Sequence, residues 1–258
     1  MPRGPAVPGR LPERVMVPTD RPVVDSTLRG PVRFDRGAWR GVPERKRRGK
    51  RIMQRLGAVV LCGGRSRRMG RPKEWLPIGD EVLLQRVVRR VATRASLVVV
   101  ASAEGQDLPA LPPEVERVVD PEPDRGPLQG LAVGMEALAG RVRWAFACSS
   151  DAPLLRPPWI DRLAEFIAED VDLILPRIEG RDQPLAALYR PEIAASAAAE
   201  LLAAGRSRLG LIRDRLRART VGEDPLREVD PDLSTLRNLN TLADYQEVIR
   251  GLDAPRSP

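Results

Sequence analysis

Histidine is absent from this chain of 258 residues, and cysteine occurs only twice, as Cys62 and Cys148. Without histidine there is no Ser-His-Asp or Cys-His catalytic arrangement and no imidazole-ligated metal. Two cysteines make neither a disulfide framework nor a zinc ligand set, and the expectation is a reduced, cytoplasmic protein. Aromatic residues make up 3% of the chain, so aliphatic side chains and alanine must build the core. No apolar run approaches the roughly 20 residues of a membrane span. Any metal must be held by carboxylates, carbonyls, water and substrate oxygens, a donor set that suits Mg²⁺.

The formal charge of +8 is unevenly spread. Residues 1–55 hold 15 Lys+Arg and 5 Asp+Glu, and the remainder holds 28 and 30. The basic character therefore belongs to the N-terminal segment. A nucleic-acid partner is not expected for the nearly neutral remainder. Residues 1–55 are rich in Pro, Gly and Arg, include the run Arg45-Lys46-Arg47-Arg48-Gly49-Lys50-Arg51, and show no sustained periodicity. They lack the apolar stretch of a signal peptide. Three readings stay open: a disordered tail, a segment preceding a true start at Met53, or a contact for an anionic partner. The folded domain is expected over 56–258.

From residue 56, strand-like and helix-like segments alternate. Strands are expected at 57–62, 97–101, 115–119, 143–148, 173–178 and 184–189. The last two flank a Glu179-Gly180-Arg181-Asp182 turn, which suggests a hairpin. Helices are expected at 82–92, 128–139, 157–168, 191–204, 207–217 and 241–251. This alternation predicts an α/β fold, a Rossmann-like three-layer sandwich with a mostly parallel sheet.

The most informative stretch is Gly57-Ala-Val-Val-Leu61-Cys62-Gly63-Gly64-Arg65-Ser66-Arg67-Arg68-Met69-Gly70-Arg71-Pro72-Lys73. A buried strand stops at a glycine pair, and a dense group of cations follows. Such a loop can turn backbone N–H groups toward an anion while arginine and lysine supply positive charge. The pattern is neither a Walker loop nor a dinucleotide fingerprint. It points to nucleotide phosphates at the C-terminal end of the first strand. Two aspartates fall at comparable strand ends, Asp120 after Val118-Val119 and Asp151 after residues 144–150. Each has a bland alternative: a turn aspartate before Pro121, or a helix cap.

The long motif resembles the L-x-G-G-x-S-x-R-M-G-x-x-K signature of molybdenum cofactor guanylyltransferases. Leu61, Gly63, Gly64, Arg68, Met69, Gly70 and Lys73 fall in register with it. Asp151-Ala-Pro-Leu-Leu155 resembles the family's D-x-P segment, Gly126-Pro127-Leu128-Gln129-Gly130 its G-P-L-x-G segment, and Gln183–Arg190 its P-L-x-x-L-Y strand. Asn238-Leu-Asn240-Thr241-Leu242-Ala-Asp244 resembles its N-x-N-T-P ending, with Leu242 in place of proline. Thr241 could also simply cap the last helix, with Asp244 three residues on. The resemblance covers roughly residues 56–250 and is similar to the nucleotide-diphospho-sugar transferase type of fold.

The resemblance implies GMP transfer from GTP to the terminal phosphate of molybdopterin, with pyrophosphate released. It implies GTP contacts from Leu61, Cys62, Gly63, Lys73, Asp120 and Asp151, and Mg²⁺ on Asp151. Arg68 and Lys73 take the catalytic role of stabilising phosphate charge. Asn238 and Asn240 are candidate pterin or phosphate contacts. Implied partners are GTP, the molybdenum-bearing molybdopterin, cofactor-synthesis proteins and molybdoenzyme chaperones. Cys62 departs from a common alanine. Ala101 stands where some members carry a base-contacting asparagine, which removes a side-chain hydrogen bond there. A cytidylyltransferase acting on the same cofactor, a sugar-phosphate nucleotidyltransferase, and a non-catalytic anion-binding protein remain as alternatives.

Overall fold

The computed structural model describes residues 56–63, 72–122 and 125–253. The N-terminal tail and the arginine-bearing part of the glycine loop, including Arg68, lie outside them.

Ten strands occur among the described residues: β1 Leu56–Cys62, β2 Pro77–Ile78, β3 Glu81–Val82, β4 Leu97–Ala103, β5 Val115–Asp120, β6 Trp144–Ser149, β7 Leu173–Ile178, β8 Arg181–Asp182, β9 Ala186–Tyr189 and β10 Ala218–Val221. The α-helices are α1 Leu83–Ala92, α2 Pro127–Leu138, α3 Pro157–Ala164, α4 Pro191–Ala203, α5 Glu223–Arg227 and α6 Leu242–Asp253. The main sheet runs β10-β7-β9-β6-β1-β4-β5, with β8 paired to β7. Its pairs are parallel except those made by β9 and β8.

β1 is buried along its whole length, because both faces are covered. Ala58, Val60 and Cys62 join Leu84, Val87 and Val88 of α1 and Trp159 and Leu163 of α3 in one core. Val59 and Leu61 join Leu128, Leu131 and Met135 of α2 and the alanines of α4 in the other. This is the period-2 alternation of a strand expressed as two hydrophobic layers. The few aromatics are concentrated here: Trp144, Trp159, Tyr189 and Phe146 are among the largest fully buried side chains. Small residues complete the fit. A Cβ on Gly134 of α2 would lie 2.3 Å from Val59 Cγ1, so α2 sits on β1 at a distance only glycine permits.

The expected hairpin is present and tighter than its four-residue turn suggested. Ile178 pairs with Arg181, leaving Glu179 and Gly180 as the two-residue connection. Both have positive φ, 48° and 73°, which is the type I′ geometry that suits strand twist. β9 then folds back between β7 and β6. Three expectations need correction. The helix at 157–168 stops at Ala164, because Glu165, Phe166 and Ile167 donate to carbonyls three residues back and tighten the chain. The helix at 207–217 is a 3₁₀ segment, Leu209–Arg215. The strand expected from Pro184 begins at Ala186.

β1 is flanked by β4, its successor in the sheet, on one side and by β6 on the other. The strand order thus reverses at β1, and a crevice opens beyond the C-terminal ends of β1, β4 and β6.

Candidate active site

The three predicted strand-end positions meet along this crevice. At the end of β1, the Leu61 carbonyl accepts the Ser150 N–H at 2.9 Å, which carries the β1–β6 pairing one step past the strand. Asp151 follows immediately. Its Oδ2 lies 3.3 Å from Lys73 Nζ, across 78 residues of sequence, with both side chains largely shielded from solvent. Lys73 is positioned by Pro72 and by a 3₁₀ turn, Lys73–Trp75. Asp151 Oδ1 is buried and has no hydrogen-bond partner. An orphaned carboxylate oxygen is costly to bury and is an open position for a cation.

The main chain of Asp151 ties in a third segment. Its carbonyl accepts the Leu239 N–H at 2.9 Å, which brings Asn238 and Asn240 alongside. Thr241 and Asp244 form the capping box expected of them: Asp244 Oδ2 accepts the Thr241 N–H at 2.7 Å, and Thr241 Oγ1 accepts the Asp244 N–H at 3.1 Å. The N–H groups of Asn240 and Thr241 hold the Asp244 carboxyl below its usual range, and the charge of Lys73 adds to this. Leu242, in the place of the family's proline, is exposed at the first position of α6.

Asp120 ends β5 and is 6% exposed. Its Oδ1 accepts the Glu122 N–H at 2.9 Å, so the turn role is real. Its Oδ2 faces the start of α2, near Gly130, where a Cβ would lie 3.9 Å from it and 3.4 Å from Leu61. Burial raises the Asp120 pKa against the opposing effect of that N–H. Gly126 precedes α2 with φ of 85°, and Pro127 opens the helix. The helix N-terminus and its N–H groups therefore stand at the crevice.

Cys62 is buried on the α1 side, and burial, with the charge of Glu74, raises its pKa far beyond the ordinary thiol range. It stays a thiol and acts as a small packing residue. Gly63 is exposed, and a Cβ placed on it meets none of the described residues within 4 Å. Their packing does not demand glycine there. Ala101 is the position where some members of the resembled family carry an asparagine. It is buried in mid-strand, paired with Leu61 and Val118, with its methyl in the α2 core. The strand continues to Ala103, and the groups at its end are others. Ser102 Oγ accepts from Arg117 Nε at 2.8 Å, Gln106 Oε1 accepts the Ala103 N–H at 3.1 Å, and Gln106 Nε2 donates to buried Glu74 at 3.2 Å. Sequence reasoning passed over this chain of contacts. Its one signal was Glu74, a carboxylate adjoining Lys73.

A model of the MobA-like NTP transferase domain matches residues 58–220, from β1 through most of β10. The chain belongs to the MobA-like NTP transferase family. It is a nucleotidyltransferase. Among its relatives are proteins named probable molybdenum cofactor guanylyltransferase from Mycobacterium tuberculosis, 38% identical over 207 residues (79% of this chain and 94% of the relative). A protein of the same name from Mycobacterium marinum is 38% identical over 199 residues, covering 76% and 94%. Solved structures share the fold. Molybdopterin-guanine dinucleotide biosynthesis protein A from Archaeoglobus fulgidus has a TM-score of 0.61 at 18% identity, over 77% of this chain and 100% of that one. The 2-C-methyl-D-erythritol 4-phosphate cytidylyltransferase from Thermus thermophilus has a TM-score of 0.56 at 14% identity, over 75% and 97%. This MobA-like transferase thus shares its architecture with enzymes named for different bases, and the fold alone does not choose between them.

Proposed function

We propose that the chain transfers GMP from GTP to the terminal phosphate of molybdopterin, forming the guanine dinucleotide cofactor and releasing pyrophosphate. The names of the mycobacterial relatives support the choice of substrate. The observation that carries the site is the Lys73–Asp151 pair at 3.3 Å, with one Asp151 oxygen buried and unpartnered.

The chemistry asks little of a general base. A phosphate monoester oxygen attacks the α-phosphorus, a new P–O bond forms, and the bond to the pyrophosphate oxygen breaks. The attacking phosphate is already ionised near neutral pH, which suits a chain with no histidine and with both thiols buried. What the protein supplies is positioning and compensation of charge. Lys73 holds phosphate oxygens, and Arg68 of the glycine loop is assigned the same task. The start of α2 presents N–H groups toward the nucleotide. Asp120 orients the nucleoside, and Asn238 and Asn240 face the acceptor.

Asp151 fits a divalent cation through its orphaned oxygen. No cluster of three or more His, Cys, Asp or Glu side chains suited to a metal occurs among the described residues, so water and substrate oxygens must complete the shell. When bound, Mg²⁺ neutralises charge on the phosphate oxygens. Residues 1–55 are assigned no part in the reaction. We place the protein in the cytoplasm with cofactor-synthesis proteins and molybdoenzyme chaperones as partners. In keeping with this, no helix among the described residues is long and apolar enough to cross a membrane.

The test is to incubate the full chain with the molybdenum-bearing molybdopterin and either GTP or CTP, and to follow pyrophosphate and the dinucleotide product. Product from GTP at a rate well above that from CTP is expected. Product from CTP alone would reassign the enzyme to the cytidylyl-transferring class.

A further inference from the structure

One group of cations lies outside the proposed reaction. A cavity of about 630 Å³ opens on the α1 side of the sheet, and its walls carry Arg90, Arg156 and Arg237. Arg90 comes from α1, Arg156 directly precedes α3, and Arg237 follows the short turn at Ser234–Leu236. Two of the three are matched by acids. Arg156 Nε lies 3.3 Å from buried Asp230, and Arg237 Nη2 lies 2.7 Å from Glu247 Oε1.

Arg90 is different. Its Nη1 donates to the Leu155 carbonyl at 2.7 Å, and its Nε is buried with no partner. Glu81 of β3, the nearby acid, is already shared between Arg86 and Arg89. Burial, then the charges of Arg86 and Arg89, lower the Arg90 pKa to about 10. A desolvated guanidinium without a carboxylate is a costly arrangement, and an anion relieves it. Among the described residues Asp232 is the one acid on the cavity wall, and the Ser234 hydroxyl donates to Asp230 at 2.7 Å. Leu154 and Leu252 supply the apolar surface. Among the described residues no aromatic side chain lines the space, so a ligand is gripped by charge and not by stacking of a base.

The cavity adjoins the crevice along the chain, with Leu154 three residues after Asp151 and Arg237 directly before Asn238, and departs from it along α6. α6 begins near Lys73, whose charge reaches Asp244, while Leu252 near its other end lines the cavity. Ten residues of helix at the standard rise carry Leu252 roughly 15 Å along α6 from Leu242.

We propose that this cavity is a second anion site, which takes the phosphate of a small phosphorylated compound, with Arg90 as its main ligand and Arg156 and Arg237 flanking it. Its volume lies in the range of small-molecule pockets. The inference stands whichever base and acceptor the enzyme uses.

The experiment is calorimetric titration of the full chain with pyrophosphate and with inorganic phosphate at constant ionic strength. Two pyrophosphate sites are expected. Arg90→Gln removes one and Lys73→Ala the other, and GTP binding survives Arg90→Gln. Arg156→Gln and Arg237→Gln each weaken the Arg90 site by about tenfold, the scale of one charge-assisted hydrogen bond. Both arginines are about half exposed, so these variants fold even if Arg90→Gln does not. Binding of inorganic phosphate at the Arg90 site supports recognition of a single phosphoryl group. Binding of pyrophosphate alone supports a diphosphate ligand. A single site that Lys73→Ala abolishes and the arginine variants leave untouched would overturn the proposal.

Discussion

Asp151 and Asp172 stand at opposite ends of the strands of one sheet, one just past the C-terminus of β6 and the other just before the N-terminus of β7, and have opposite surroundings. Asp172, just before β7, accepts a bidentate pair from Arg217 at 2.6 and 2.7 Å and a main-chain N–H from the same residue at 3.4 Å. Arg190 stands 3.8 Å away. Its carboxyl is held below the usual range, chiefly by the Arg217 side chain. Asp151, just after β6, has one lysine at 3.3 Å and a second oxygen with no partner. A carboxylate whose lone pairs are filled from within the fold is built for stability. One left half-satisfied beside a lysine, at the strand ends where the strand order reverses, is built to receive something.

Substitutions can break or sharpen this contrast. The largest effect is expected at the crevice. Asp151→Ala and Lys73→Ala should each slow nucleotidyl transfer by about 10²–10³-fold, on the scale of removing one transition-state contact, with little change in thermal unfolding. Single-turnover pyrophosphate release measures the rate, and a loss within a few-fold would remove the residue from the reaction. The next effect is steric. Gly134→Ala forces a methyl into Val59 and should destabilise the domain by about 1–3 kcal/mol in denaturant titration. Gly63→Ala meets none of the described residues and should leave stability unchanged while weakening nucleotide binding.

Asp172→Ala should cost about 1–2 kcal/mol, toward the low end for charge-assisted hydrogen bonds because Arg217 faces solvent, and leave transfer per folded molecule unaltered. The sign with pH follows from the lowered folded-state pKa. The stabilisation is present above the unfolded carboxyl pKa and fades as pH falls through the folded one, so wild type and Asp172→Ala should converge in strongly acidic solution. The smallest effect is expected at Asp120, whose folded pKa is raised by burial. Its ionisation costs stability once pH rises past the folded pKa. Asp120→Asn keeps the acceptor for the Glu122 N–H and should be slightly more stable than wild type at neutral pH, a gain that vanishes in acid.

Much of the fold was legible because β1, β4 and β6 are buried on both faces and read as continuous apolar runs bounded by turns. Two elements were not. β10, Ala-Arg-Thr-Val, is an edge strand with two exposed positions, so it shows no apolar run, and only its pairing with β7 defines it. β2 and β3 have two residues each, and β2 is held to α6 by Ile78 packing with Val248 and by the Tyr245 hydroxyl donating to the Pro77 carbonyl. At the site, Lys73, Asp120 and Asp151 were readable as polar residues at strand ends, and their convergence follows from the parallel topology. Arg68 lies outside the described residues. The Ser102–Arg117–Gln106–Glu74 connections were hidden, since they join residues from separate elements that carry no motif. The Arg90 cavity was hidden for the same reason: its cations come from α1, the turn before α3 and the C-terminal segment.

The central claim is that Asp151, unlike Asp172, serves the nucleotide. Its most direct test is calorimetric titration of the wild type, Asp151→Ala and Asp172→Ala with GTP and with CTP, each with and without Mg²⁺. The account predicts GTP binding that exceeds CTP binding, strengthens with Mg²⁺, is lost in Asp151→Ala and persists in Asp172→Ala. Equal GTP affinity in the wild type and Asp151→Ala, with the same response to Mg²⁺, would contradict it.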